Sequence, residues 1–173
     1  MNIKTLKKYL NQKTREELIY EIIELSTKFS VVKDYCQEKS GASIKGKTLE
    51  KYKTLITHEF FPTRGYGRAR LSIARKAVTD FKKTSQSTVE LIDLMLHYVE
   101  TGVRFTEEYG DINEPFYDSM ENMYDKVLRL ITEAGVKQEF RQRCHEIVVD
   151  TQDMGWGFHD ILGNMYHDVF GNE

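Results

Sequence analysis

Residues Thr88–Glu108 read TVELIDLMLHYVETGVRFTEE, and this stretch decides the fold. Placed at 100° per residue, Val89, Leu91, Ile92, Leu94, Met95, Leu96, Val99 and Val103 spread over a wide arc. A helix apolar over so much of its circumference has to be covered on several sides, so it is read as a central, largely buried helix. Its polar residues Asp93, His97 and Glu100 stand four and three apart on one face, beside Glu90 and Arg104.

The chain on either side is punctuated in the same helical rhythm. Upstream, Ser85-Gln86-Ser87 is a polar break, and residues 68–83 form a helix carrying Leu71, Ala74, Val78 and Phe81. The helix before it, about 48–60, uses Leu49, Tyr52, Ile56 and Phe60 and must stop before Pro62, because the residue preceding a proline disfavours helical geometry. Gly41–Lys47 is a loop. Ser30 is the expected N-cap of a piece running through Cys36 and ended by Gly41, and Thr14 with Glu17 makes a capping box that starts a helix near Arg15. Leu18, Ile22 and Leu25 continue that helix, and Ile3, Leu6 and Leu10 line one side of a short piece over 3–10. Downstream, Gly110 ends the central helix. Asn113 caps the next, with Pro115 in its first turn, where the missing N–H costs nothing. That helix uses Met120, Met123, Val127, Leu130 and Ile131 and stops at Gly135. Residues 137–150 and 158–169 follow, separated by Gly155-Trp156-Gly157. Period-2 alternation is absent, so the predicted fold is all-α. Roughly eight helices pair as antiparallel hairpins over 14–40, 48–83, 88–134 and 137–169, in a compact bundle or a short helical-repeat (HEAT-like) stack.

A chain of 173 residues with 40% hydrophobic content is expected to fold as a single domain, 1–173, with a core of its own. The apolar runs are a few residues long, so no membrane span is expected. Met1–Lys8 carries lysines without an apolar segment, which gives no secretory signal and points to the cytoplasm. In that compartment Cys36 and Cys144 are expected as free thiols that act as small buried hydrophobes.

Net charge is −2, but it is unevenly spread. Residues 1–86 carry 19 Lys and Arg against 9 Asp and Glu, a balance of +10; residues 87–173 carry 6 against 18, a balance of −12. The halves either offset one another, within the fold or across a homodimer, or leave a basic surface for an acidic partner.

Three stretches could carry chemistry. Thr63–Lys83 holds Arg64, Arg68, Arg70, Arg75, Lys76, Lys82 and Lys83 against one acid, Asp80, and Arg68, Ser72, Arg75, Thr79 and Lys82 fall on one helical stripe. Arginine forks bind phosphate or carboxylate bidentately, and the glycines of Arg64-Gly65-Tyr66-Gly67-Arg68 let backbone approach an anion at the start of a helix. The expected ligand residues are Arg64, Gly65, Tyr66, Gly67, Arg68 and Arg75. No strand precedes this loop and no Gly-Lys-Ser/Thr follows it, so it is not a P-loop. Asp153–Asp160 and Tyr166–Asp168 contain two His-Asp pairs and the only Trp, but His159 and His167 are two turns apart, and a polar helix face with a packed Trp–Phe corner accounts for them. Asp93, His97 and Glu100 lack a second His/Glu copy on another helix, and a charged face with i,i+4 pairing accounts for them. No catalytic residues, cofactor or metal ligands are assigned.

His58-Glu59-Phe60-Phe61-Pro62, Arg64-Gly65-Tyr66-Gly67-Arg68, the basic helix Ala77–Lys83 and Asp153-Met154-Gly155-Trp156-Gly157 together resemble a family of small bacterial helical proteins known only as a domain of unknown function. The resemblance covers nearly the whole chain. It implies a cytoplasmic protein with no established activity and supplies no catalytic residues. The leading expectation is a non-enzymatic protein-interaction module with a protein partner of unknown identity. Nucleic-acid or phosphate-ligand binding through 64–83 comes second, and a metal-dependent hydrolase third.

Overall fold

The computed structural model describes residues 2–41 and 46–171, and helices are the only regular elements among them. The chain forms two compact units, Met1–Ile44 and Lys45–Glu173. Of the expected loop Gly41–Lys47, residues 42–45 lie outside the described residues.

The first unit holds α1 (Ile3–Leu10), α2 (Arg15–Lys28) and α3 (Ser30–Lys39). Asn2 Oδ1 accepts the Thr5 N–H at 2.8 Å and opens α1. The capping box forms as the spacing requires: Thr14 Oγ1 accepts the Glu17 N–H at 3.2 Å, and the Glu17 carboxylate accepts the Thr14 N–H at 2.7 Å. The Tyr9 hydroxyl donates to Glu21 at 2.6 Å and Lys13 pairs with the same carboxylate at 2.6 Å, tying α1 to α2. Ser30 is not a cap; it is the first helical residue, with Phe29 at the N-cap position. Among the described residues this unit buries no apolar side chain, and Ile3, Tyr20, Ile23 and Phe29 are each more than half exposed.

The second unit holds α4 (Lys47–Phe60), α5 (Leu71–Thr84), α6 (Thr88–Tyr109), α7 (Glu114–Ala134), α8 (Lys137–Val149) and α9 (Phe158–Phe170). With α1–α3 this makes nine helices among the described residues, in line with the roughly eight expected. The pairs α4–α5, α6–α7 and α8–α9 are antiparallel hairpins, and the central pair touches both outer ones. Ser87 Oγ accepts the Glu90 N–H at the head of α6, and Asn113 Oδ1 accepts the Phe116 N–H at the head of α7. Among the described residues every buried apolar side chain lies between Leu49 and Leu162, so the core belongs to this unit. At its centre Phe60 meets Tyr98, Phe105 and Phe116 edge-on, with ring centroids 5.7–6.3 Å apart. Buried hydroxyls are satisfied: Tyr98 bonds Ser119 at 2.8 Å, and Tyr124 donates to the Cys144 carbonyl at 2.9 Å. Burial pushes the Cys144 thiol up to about 12. Cys36, expected to be buried, is only half-buried. No helix among the described residues is long and apolar enough to cross a membrane.

Asp93, His97 and Glu100 do not pair along α6 as expected; they face α4 and α8. Arg143 donates Nε and Nη2 to Glu100 at 2.5 and 2.8 Å and Nη1 to Asp93 at 2.5 Å. Lys53 reaches Asp93 at 2.9 Å, and Thr57 Oγ1 lies 2.9 Å from His97 Nε2. Burial works against the charge on Asp93, but hydrogen bonds from Lys53 and Arg143 outweigh it and hold the carboxyl below its ordinary 3.8. Burial pushes the His97 imidazole below its ordinary 6.5, against the pull of Glu100.

Both shifts have the same sign for stability. Between the two His97 values the unfolded chain binds more protons than the folded one, so stability falls as pH drops below 6.5. The contribution of Asp93 is complete above its unfolded value of 3.8 and is lost as pH falls through the depressed folded value. Thermal melts from pH 7.5 to 3 should show Tm declining with acid from about pH 6.5, and His97→Gln should remove the upper part of that decline; a Tm that rises on acidification to pH 5 contradicts the assignment. A chain beginning at Gly46 should keep a cooperative melt, because among the described residues every buried apolar side chain lies beyond that point; a non-cooperative melt of that fragment contradicts it.

Candidate functional site

The chain takes residues 61–70 to turn from α4 into α5, and three features fix the shape of this loop. A Cβ on Gly67 would lie 1.7 Å from the Phe60 carbonyl oxygen and 2.9 Å from the Phe105 ring, so only glycine lets the backbone pass. Gly65 turns at φ +78, in the left-handed region that favours glycine. Ala69 takes φ +41 and donates its N–H to the Glu59 carbonyl at 3.0 Å. Arg70, the N-cap residue of α5, forks onto the Glu59 carboxylate with Nε–Oε2 of 2.8 Å and Nη2–Oε1 of 3.0 Å. Nearby, the Arg104 guanidinium lies 5.1 Å above the Phe61 ring.

The loop encloses a cleft of about 240 Å³. Of the six expected ligand residues, Arg64, Gly65, Tyr66 and Arg68 line it, joined by His58 and Arg70. Gly67 does not line the cleft but seats the loop against Phe60. Glu59 is the one carboxylate in the lining. Among the described residues neither Arg64 nor Arg68 has a hydrogen bond or ion pair, and Tyr66 is 86% exposed. The helix expected from residue 68 begins at Leu71, because the left-handed turn at Ala69 keeps Arg68 outside it. Arg68 is therefore not on the α5 stripe with Arg75, Thr79 and Lys82. Glu59 was the expected carboxylate partner if the loop arginines Arg64 and Arg68 were paired; it takes Arg70 instead, eleven residues away across the Pro-Gly turn, a separation with no helical or strand periodicity.

Arg75 lies elsewhere, on a groove of about 550 Å³ formed by α5, α6 and α7. Val78, Leu91, Met95, Met123 and Leu130 supply its apolar floor. Arg75, Lys82, Lys126, Arg129 and Glu133 supply its polar rim. Arg129 is paired with Asp125 at 2.9 Å, whereas Arg75, Lys82 and Lys126 have no ion pair among the described residues. The basic residues Lys76 and Lys83 are instead both spent on Asp80 within α5.

The two other stretches resolve into structure. Asp93 and Glu100 are taken up by Lys53 and Arg143, as described above. His159 Nδ1 sits 3.1 Å from the Val148 carbonyl and 3.0 Å from Thr151 Oγ1, where it joins the end of α8 to α9. Trp156 is not packed in a corner as expected: it is 59% exposed at φ +63, and Phe158 fills the core position against Tyr117, with ring centroids 4.9 Å apart. Asp111 accepts the Tyr117 hydroxyl at 2.5 Å and the Gly155 N–H at 3.2 Å. Among the described residues no three His, Cys, Asp or Glu side chains are grouped so as to hold a metal ion.

No curated protein matches the chain, and no solved structure does. A protein-family model does match, over residues 1–169, and so covers both compact units and the loop cleft. The chain therefore belongs to the family described as "Family of unknown function (DUF6155)".

Proposed function

We propose that this chain is a non-enzymatic protein-interaction module whose groove across α5, α6 and α7 receives an acidic amphipathic helix. The observation that carries the reading is the pairing of an apolar floor with a cationic rim. Leu130 is half-buried, and Val78, Leu91, Met95 and Met123, which belong to the core, show only their outer edges in the floor, so the apolar contact with a docked helix is shallow; the exposed, unpaired Arg75, Lys82 and Lys126 beside it meet carboxylates on its flanks. The wall from Met123 to Glu133 is about 15 Å of helix, the length of roughly three turns. The uncovered apolar faces of α1–α3 support the same kind of role, because exposed apolar patches mark interaction surfaces.

The test uses two labelled 14-residue amphipathic peptides with one shared apolar face, one flanked by Glu and the other by Lys, titrated by fluorescence anisotropy. The acidic peptide should bind, and more weakly as salt rises. Arg75→Glu with Lys126→Glu should weaken it at least tenfold, and Leu130→Glu should do the same by spoiling the floor. Equal binding of the basic peptide, or no binding of either, overturns the reading. Sedimentation in the same buffers decides whether the occupant is instead a second copy: salt-sensitive dimers that the acidic peptide fails to dissociate assign the groove to self-association.

A further inference from the structure

The loop cleft is a second site, independent of the groove, and we propose that it binds the phosphate group of a small phosphorylated molecule. Three guanidinium groups line it, and only one of them is neutralised: Arg70 is locked onto Glu59, the single carboxylate present. Arg64 and Arg68 are left facing the same space with no hydrogen bond or ion pair among the described residues, an excess of two positive charges. A phosphate monoester carries close to two negative charges at neutral pH and three acceptor oxygens, which planar guanidinium forks meet two at a time. The Arg70–Glu59 fork also gives the cleft a fixed wall, so the two unpaired arginines project from a loop already shaped.

Size and lining narrow the ligand. About 240 Å³ is below the roughly 300–1,000 Å³ of sites that swallow a drug-sized molecule, so the phosphate and the first part of its substituent enter while the rest stays outside. Tyr66 stands at that boundary: it lines the cleft, yet its side chain is 86% exposed, which leaves a ring face for a planar substituent. A nucleic-acid strand would need a cationic track continuing beyond the cleft. Of the other unpaired cations of this region among the described residues, Arg75 and Lys82 flank the apolar groove and Arg104 lies over the Phe61 ring. A compact phosphate monoester therefore fits better than a polymer.

The full chain is titrated with inorganic phosphate, phenyl phosphate and a twelve-residue oligothymidylate, by calorimetry and by following the Gly65 and Gly67 amide resonances. Inorganic phosphate should shift both amides, and phenyl phosphate should bind about tenfold tighter. Tyr66→Ala should remove that gain and leave inorganic phosphate unaffected. Arg64→Ala with Arg68→Ala should weaken phenyl phosphate at least thirtyfold, with the far-ultraviolet dichroism unchanged. The charge-matched control, Arg75→Ala with Lys82→Ala, should change it less than twofold. Binding that survives the loop double variant overturns the proposal. So does an equal loss in the control, which reports diffuse attraction only. Oligothymidylate binding tighter than phenyl phosphate through Arg64 and Arg68 assigns the loop to nucleic acid and overturns it too. Failure here leaves the groove reading intact, since acidic-peptide binding should be unaffected by Arg64→Ala with Arg68→Ala.

Discussion

Helix α6 buries twelve of its 22 residues, from Leu91 to Thr106, and a cylinder 10–12 Å across cannot hide so wide an arc against one neighbour. It must be walled in, and α4, α5, α7 and α8 all pack on it. That requirement orders the second unit: three hairpins lie side by side with the α6–α7 pair in the middle. Each buried Leu, Ile, Val or Phe contributes about 1.5–3 kcal/mol of transfer free energy, so α6 is the helix that this unit can least do without. The same constraint explains the polar seam. A helix surrounded on several sides has nowhere to send Asp93, His97 and Glu100 except toward another helix, and Lys53, Thr57 and Arg143 are positioned to receive them.

The lopsided charge has a divided fate. Lys53 in the basic half meets Asp93 in the acidic half, which offsets part of the imbalance within the core unit. Asp80 absorbs Lys76 and Lys83 locally. Among the described cations of the core unit that have no ion pair, Arg64 and Arg68 stand at the loop cleft and Arg75, Lys82 and Lys126 at the groove, the two recesses described above.

Much of the fold was legible because its signals are local. The capping box at Thr14 and Glu17, the Asn113 cap with Pro115, and the stop at Gly135 depend on side chains a few residues from the backbone groups they satisfy. The start of α5 was misread because its cause is tertiary: Gly67 pressed against Phe60 and Ala69 tied to Glu59 postpone the helix by three residues, and neither contact has a sequence period. The loop cleft was half legible. Glycines and arginines crowded into five residues announced Arg64–Arg68, but Arg70 and His58 enter only through the turn of the chain. The groove was harder still, since Met95, Met123 and Lys126 come from two further helices and each looks ordinary in its own stripe. Trp156 shows the opposite failure: a large aromatic between glycines suggested packing, but the left-handed backbone there leaves it exposed and Phe158 takes the interior.

The way Gly67 is wedged against Phe60 and Phe105 separates two properties that are often entangled. The course of the loop is held by Gly67, Ala69 and the Arg70–Glu59 fork, while the side chains at 64, 66 and 68 hold nothing else in place. Residues at these three positions are therefore free to be exchanged without repacking the interior. Among relatives that keep the wedge, the recess can change its chemical preference while the scaffold beneath it stays the same, so divergence in ligand and divergence in fold need not run together.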